Sequence, residues 1–121
     1  MSEKCSLSAN DDATGAMALK PESLPFYIVS ELYQAPLTLM ELQDQIAERI
    51  GYHPSEGTLY GTASRLKTAG YLETEKTEIV VKKQRINLRM YRITSNGKAA
   101  LLEGKKSMEK ELSYLNGILN A

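Results

Sequence analysis

The 121-residue chain has no tryptophan, one cysteine and one histidine. A lone thiol, Cys5, excludes a disulfide framework within the chain, and one Cys with one His cannot assemble a zinc cluster. His53 sits in a turn beside Pro54. It reads as a surface residue, because a single titratable group makes a poor catalytic constellation. No phosphate-binding glycine loop of the usual spacing is present. No apolar run approaches the ~20 residues that a membrane span needs. The polar N-terminus, "MSEKCSLSANDDATGAMALKPES", has no stretch suited to a secretory signal. The expectation is a cytoplasmic protein with no cofactor, no metal, no membrane partner and no enzymatic activity.

Net charge is also absent, since 15 Lys+Arg balance 15 Asp+Glu. The balance conceals an asymmetry. Residues 1–23 carry net −2 and residues 24–54 net −3, whereas residues 55–93 hold eight Lys+Arg against four acids, net +4; residues 94–121 carry net +1. A basic middle in an otherwise acidic or neutral chain suits a polyanionic partner.

Residues 1–23 mix Ser, Asn, Asp, Gly and Pro without a period and read as a flexible leader. Ile28, Val29, Leu32 and Tyr33 fall on one helical stripe, which predicts a helix over about 25–34, ended by Pro36. Thr38 with Glu41 forms a capping box. Leu39, Leu42, Ile46 and Ile50 then mark an amphipathic second helix that stops at Gly51.

The third helix opens at "PSEGT", with Ser55 as N-cap to the amide of Thr58. Leu59, Ala63 and Leu66 make a narrow apolar face, and Gly57, Gly61, Ser64, Arg65 and Thr68 lie opposite. Gly61 is interior and should cost about 1 kcal/mol against alanine, so its small size asks for a reason. Two strands follow, "YLETEKTEIVV" and "QRINLRMYRIT", joined at Lys82-Lys83. Glu73, Glu75 and Glu78 read as a solvated strand face. Ile86, Leu88 and Met90 share one parity and Tyr91 and Ile93 the other, which a bulge or a twist near Met90–Tyr91 would reconcile. Last comes a helix of about 24 residues whose stripe is Leu101, Met108, Leu112, Leu115 and Leu119, interrupted by Gly104 and Lys105.

Three helices, a basic hairpin and a long helix form the layout of a winged helix-turn-helix: mainly α (α+β), with a two-stranded β wing. The DNA-binding domain spans 24–94, and a C-terminal dimerisation helix spans 95–121. Such a fold lays its third helix in the major groove. Small residues on the outer face of that helix would let the backbone approach DNA. The expected DNA contacts are Ser55, Thr58, Tyr60, Gly61, Thr62 and Arg65, with Arg65 matched to guanine. From Lys82 to Arg92 there are five basic residues and no acid. Lys82, Lys83, Arg85 and Arg89 are therefore expected to track phosphates. Leu101, Met108, Leu112, Leu115 and Leu119 have no further element to bury them and are the expected dimerisation stripe.

Three segments in order, "IVSELYQAPLTLMELQDQI", "GTLYGTASRLKTAGYL" and "MYRITSNGKAAL", resemble the PadR-like winged-helix transcriptional regulators. The resemblance runs over about residues 25–119 and is closest to the short form with a single C-terminal helix. It implies a homodimer that binds double-stranded DNA at a pseudo-palindromic operator, usually as a repressor. It places Gly57, Thr58, Leu59 and Tyr60 at the opening of the recognition helix. Many members have proline where this chain has Gly61. The absence of tryptophan removes the stacking used by some drug-binding members. Members often respond to small aromatic effectors, and Phe26, Tyr27 and Tyr33 could line such a pocket at the dimer interface, although core and interface packing is the plainer reading. The rival to a DNA-binding regulator is a winged-helix module that acts only through protein contacts. The apolar wing tip, Ile79, Val80, Val81 and Ile86, has no account at this stage.

Overall fold

The computed structural model describes residues 19–120; Cys5 and most of the expected leader lie outside the described residues. The elements are α1 (Leu24–Gln34), β1 (Leu37–Thr38), α2 (Leu39–Ile50), α3 (Glu56–Thr68), β2 (Leu72–Val81), β3 (Gln84–Ile93) and α4 (Ser95–Leu119). The strands form one antiparallel sheet in the order β1-β3-β2. β1, absent from the sequence reading, adds a third strand by pairing Leu37 with Tyr91 and Thr38 with Met90.

Each helix start is fixed by a hydroxyl that accepts an orphan amide. Ser23 caps α1, Thr38 caps α2, Ser55 caps α3 and Thr94 caps α4. Thr38 completes the capping box, with its own amide donating to Glu41 Oε1 at 2.9 Å. Gly51 ends α2 at φ 72°, a left-handed value that glycine takes without a Cβ penalty.

Ile28, Val29, Leu32, Leu42, Ile46, Leu59 and Ala63 meet in one core, closed below by Leu72 and Tyr91 of the sheet. Burying such side chains contributes about 1.5–3 kcal/mol each. Tyr33 departs from its expected place on this stripe: it is 60% exposed, at the end of α1, and Phe26 is buried instead. The leader boundary also shifts. Leu19 belongs to the core, and Lys20–Ser23 form a turn closed by Ser23 N–H to the Lys20 carbonyl at 3.2 Å.

Arg49 ties α2 to α1. Its Nη1 donates to Glu31 Oε2 at 2.6 Å and to Ser30 Oγ at 2.9 Å, and its guanidinium stands 5.2 Å from the Tyr27 ring centroid. Glu31 is buried, so this pairing keeps a carboxylate from being stranded in the core.

The hairpin register is unbroken from Leu72↔Ile93 to Val81↔Gln84, so the bulge offered as one reconciliation does not occur. The change of parity has another cause. Paired residues share a face. Leu72, Thr74, Tyr91 and Ile93 lie on the face that meets the helices, whereas Ile79, Ile86, Leu88 and Met90 lie on the reverse.

Gly104 does not interrupt α4, which is continuous. It is buried where the helix crosses residue 19 and α1. A Cβ there would stand 2.7 Å from the Leu19 carbonyl oxygen and 3.3 Å from the Phe26 ring. Beyond Gly104 every described residue of α4 is exposed.

Candidate nucleic-acid interface

At about 100° per residue, α3 turns Leu59, Ala63 and Leu66 inward and Gly57, Gly61, Ser64 and Thr68 outward. Its start is held from α2 by Gln43, whose Nε2 donates to the Pro54 carbonyl at 2.8 Å, and Pro54 is itself fully buried. Its end closes with Gly70 N–H to Lys67 O and Tyr71 N–H to Leu66 O, both at 3.0 Å. The helix is therefore clamped at both ends while its outer ridge stays small. Tyr60, 49% exposed, flanks the ridge on one side, and Thr58 and the exposed Arg65 flank it on the other.

Ser55 and Thr58 are exposed at the N-terminus, with Ser55 Oγ accepting the Thr58 amide at 3.2 Å and donating to Thr58 Oγ1 at 2.9 Å. The cap leaves the amides of the first turn directed outward, at the positive end of the helix dipole.

Thr62 does not belong with these residues. It is 5% exposed, and its hydroxyl donates to the Thr58 carbonyl at 2.9 Å. The helical angle explains the correction, because Thr62 lies only about 60° from Leu59, inside the buried arc. Its role is to steady Arg65, whose Nη2 donates to Thr62 Oγ1 at 3.3 Å. A Cβ on Gly61 would meet Arg65 Nη1 at 3.9 Å and no other atom within 4 Å, and a Cβ on Gly57 would meet nothing. Internal packing does not require either residue to be glycine.

Both faces of the wing carry charge: Glu78 and the exposed Val80 share a face with the basic residues, and Glu73, Glu75 and Arg92 lie on the reverse. Lys76, Arg85 and Arg89 lie on the face shared with Leu72 and Tyr91, toward the helices. Lys82 and Lys83 form the tip, at φ 51° and 65°. Two positive φ values give the type I′ connection that usually takes Asn-Gly, so the lysines occupy it at an energetic disadvantage of about 1 kcal/mol each. Arg92 is on the reverse face and donates to Glu75 Oε1 at 2.9 Å. It is thereby set apart from the other basic residues of the wing.

Phe26, Tyr27 and Tyr33 have different surroundings within the single chain. Phe26 is in the core, Tyr27 lies under Arg49, and Tyr33 faces outward. A groove of about 610 Å³ runs between Lys20–Glu22 and Met108, Leu112 and Leu115 of α4. A hollow of about 380 Å³ lies between Pro25 and Arg65, Leu66 and Tyr71. Neither includes any of those three aromatics. Among the described residues no group of His, Cys, Asp and Glu is arranged to hold a metal ion, and no helix is long and apolar enough to cross a membrane.

Comparison with known proteins gives a consistent result. The family described as Transcriptional regulator PadR-like matches residues 28–103. Transcriptional regulator Rv3488 of Mycobacterium tuberculosis is 38% identical over 66 residues, covering 54% of this chain and 58% of the relative. The match thus spans little more than half of that relative's length. Among solved structures, a transcriptional regulator of Thermoplasma acidophilum superposes with TM-score 0.65 at 26% identity, over 81% of this chain and 91% of that one. A PadR family transcription regulator of Clostridium difficile gives 0.70 at 23% identity, over 79% and 97%. PadR of Bacillus subtilis, solved in complex with operator DNA, gives 0.57 at 20% identity, over 66% and 45%; this is similarity of fold.

Proposed function

Because the chain belongs to the PadR-like family of transcriptional regulators, we propose that it is a sequence-specific double-stranded-DNA-binding regulator. In this reading it is a homodimeric repressor that acts on a pseudo-palindromic operator. The observation that carries the reading is the outer ridge of α3, where Gly57 and Gly61 meet no internal atom that would need them small. Duplex DNA in close approach supplies the missing reason. Tyr60, Thr58 and Ser55 then meet the backbone, and Arg65 reaches a guanine edge from the side of the ridge. The Bacillus subtilis protein of similar fold is solved in complex with operator DNA, which supports DNA as the partner by analogy.

The wing contributes affinity more than sequence information. Lys82, Lys83, Arg85 and Arg89 are exposed, and no acid occurs from Ile79 to Leu102. Contacts of this kind release counterions and weaken steeply with salt. Lysines in a turn that favours Asn-Gly put two positive charges at the tip despite the strain of positive φ.

The distal half of α4 supports the dimer. Met108, Leu112, Leu115 and Leu119 are exposed on one stripe that continues from half-buried Leu101. An apolar patch of that kind is unusual on a monomer. A pair of such helices would set two copies of α3 at related positions, as a two-fold operator requires about 34 Å apart.

The test is fluorescence anisotropy of the full chain with duplex from its own upstream DNA and with a scrambled duplex, repeated across a salt series. The reading expects a specific complex whose affinity falls steeply with salt. Affinity for neither duplex would favour a module that acts through protein contacts, and equal affinity for both would remove sequence specificity from the reading. Sedimentation tests the dimer: the wild type should be a dimer and Leu112→Asp with Leu115→Asp a monomer. A soluble wild-type monomer would remove that part of the proposal.

A further inference from the structure

An arginine on an exposed helix flank has several rotatable side-chain bonds, and its fork wanders unless something holds it. Side chains in an α-helix lean toward the N-terminus, over the residues three and four positions earlier. For Arg65 those residues are Thr62 and Gly61. Thr62 supplies a bond, since Arg65 Nη2 donates to its Oγ1 at 3.3 Å. Gly61 supplies room, since a Cβ there would stand 3.9 Å from Nη1, an ordinary van der Waals distance. Among the described residues no carboxylate pairs with Arg65.

The Thr62 hydroxyl is oriented for this task. It is buried, and its proton goes to the Thr58 carbonyl at 2.9 Å. A hydroxyl has one proton to give, so with that proton committed it presents lone pairs to the guanidinium. The Arg65 fork, the Thr62 hydroxyl and the Thr58 carbonyl thus form a chain in which each donor faces an acceptor. A threonine that back-bonds to its own helix is common, and alone it is a structural device. Here the same hydroxyl also accepts from the flanking cation. It engages a single hydrogen of Nη2, which leaves the other one and both on Nη1 for a partner. Paired donors of that kind match O6 and N7 of guanine.

We propose that Thr62 is a positioning residue for base readout: without touching DNA itself, it holds the Arg65 fork beside Gly61 in the pose that meets a guanine edge. The proposal rests on the DNA-binding reading given above and names what sets specificity within it. A fork already held loses less freedom on binding, so affinity for guanine rises without any new contact. Thr62 then governs discrimination between bases, whereas the phosphate contacts of the wing do not depend on it.

The experiment uses the full chain with duplex from its own upstream DNA, and with the same duplex carrying 7-deazaguanine, which lacks the N7 acceptor but still pairs with cytosine. The variants are Thr62→Val, Thr62→Ser, Arg65→Ala, and Thr62→Val combined with Arg65→Ala. Unfolding is measured on each, and Thr62→Ala takes the place of Thr62→Val if valine prevents folding. Deazaguanine should weaken wild-type binding about tenfold and leave binding by Arg65→Ala unchanged. Thr62→Val should bind the ordinary duplex about tenfold more weakly than the wild type and respond little to deazaguanine. Thr62→Ser keeps the hydroxyl and should keep the response. In the Arg65→Ala background, Thr62→Val should change affinity no further. A loss of the same size in that background would make the threonine purely structural and overturn the proposal. A full deazaguanine response in Thr62→Val overturns it too. If the wild type binds the duplex but ignores deazaguanine, this proposal fails alone. If it binds no duplex, the DNA-binding reading fails and takes this proposal with it.

Discussion

Two helices carry glycine where alanine would be the better helix former, and Gly97 and Gly104 of α4 meet surroundings opposite to those of Gly57 and Gly61 of α3, whereas Gly117, in the exposed distal half of α4, also meets nothing within 4 Å. In α4, Gly97 and Gly104 face crowded protein. A Cβ on Gly97 would collide with the Tyr71 carbonyl and stand 2.9 Å from Ile93, and one on Gly104 would press on the Leu19 carbonyl and the Phe26 ring. In α3, Gly57 faces nothing within 4 Å, and Gly61 faces only the end of Arg65. The first pair is small because the fold is tight there. The second pair is small with no internal cause. The contrast separates residues that serve folding from residues available to a partner, which similarity of sequence or helical pattern alone does not do.

The comparison can be broken at the α4 end first. Gly97→Ala should cause the largest change in stability. Its new methyl meets backbone at the junction where Thr94 caps α4 and donates to the Gly70 carbonyl at 2.6 Å, so nothing flexible can yield. A loss of at least about 3 kcal/mol is expected in urea unfolding. Stability equal to the wild type would show that the seam is looser than described.

Gly104→Ala should lose less, about 1–3 kcal/mol, because the neighbouring Phe26 ring can shift although the Leu19 carbonyl cannot easily do so. The effect should appear in unfolding midpoint. DNA affinity of the folded fraction should stay unchanged.

Replacing Lys82 with Asn and Lys83 with Gly sharpens the distinction on the wing. The turn then has residues suited to its positive φ values, and stability should rise by about 1 kcal/mol. DNA affinity should fall, with the salt slope reduced by about two units for the two lost cations. A gain in stability with an unaltered slope would mean that the lysines do not touch phosphate. Smallest of all, Gly57→Ala should change stability by no more than about 1 kcal/mol, upward, by thermal melting.

Much of this architecture could be read in the chain. Thr38 with Glu41, Ser55 and Gly51 carry local chemistry that marks helix ends, and local chemistry survives folding largely intact. Leu59, Ala63 and Leu66 gave the inner face of α3 by spacing alone. What could not be read depends on contacts distant in sequence. β1 has two residues and exists only because β3 lies beside it. The parity change at Tyr91 imitates a bulge, since one segment of strand feeds the core and the next feeds an outward face. Thr62 is polar and stands among expected DNA contacts, yet the helical angle and its bond to the Thr58 carbonyl hold it inside. Arg49 with Glu31 was invisible because 18 residues separate them.

The central claim is that the outer ridge of α3 meets DNA, and Gly61→Leu tests it most directly. Leucine should stabilise the helix by up to about 1 kcal/mol, since its Cβ meets only the flexible end of Arg65. Unfolding and anisotropy are measured on the same preparation, with duplex from the upstream DNA. The account predicts unfolding stability equal to or above the wild type, together with at least about a 100-fold loss of affinity, or 2.7 kcal/mol by the usual conversion. Full stability with unchanged affinity would contradict it, because a bulky side chain on the ridge would then have met no DNA.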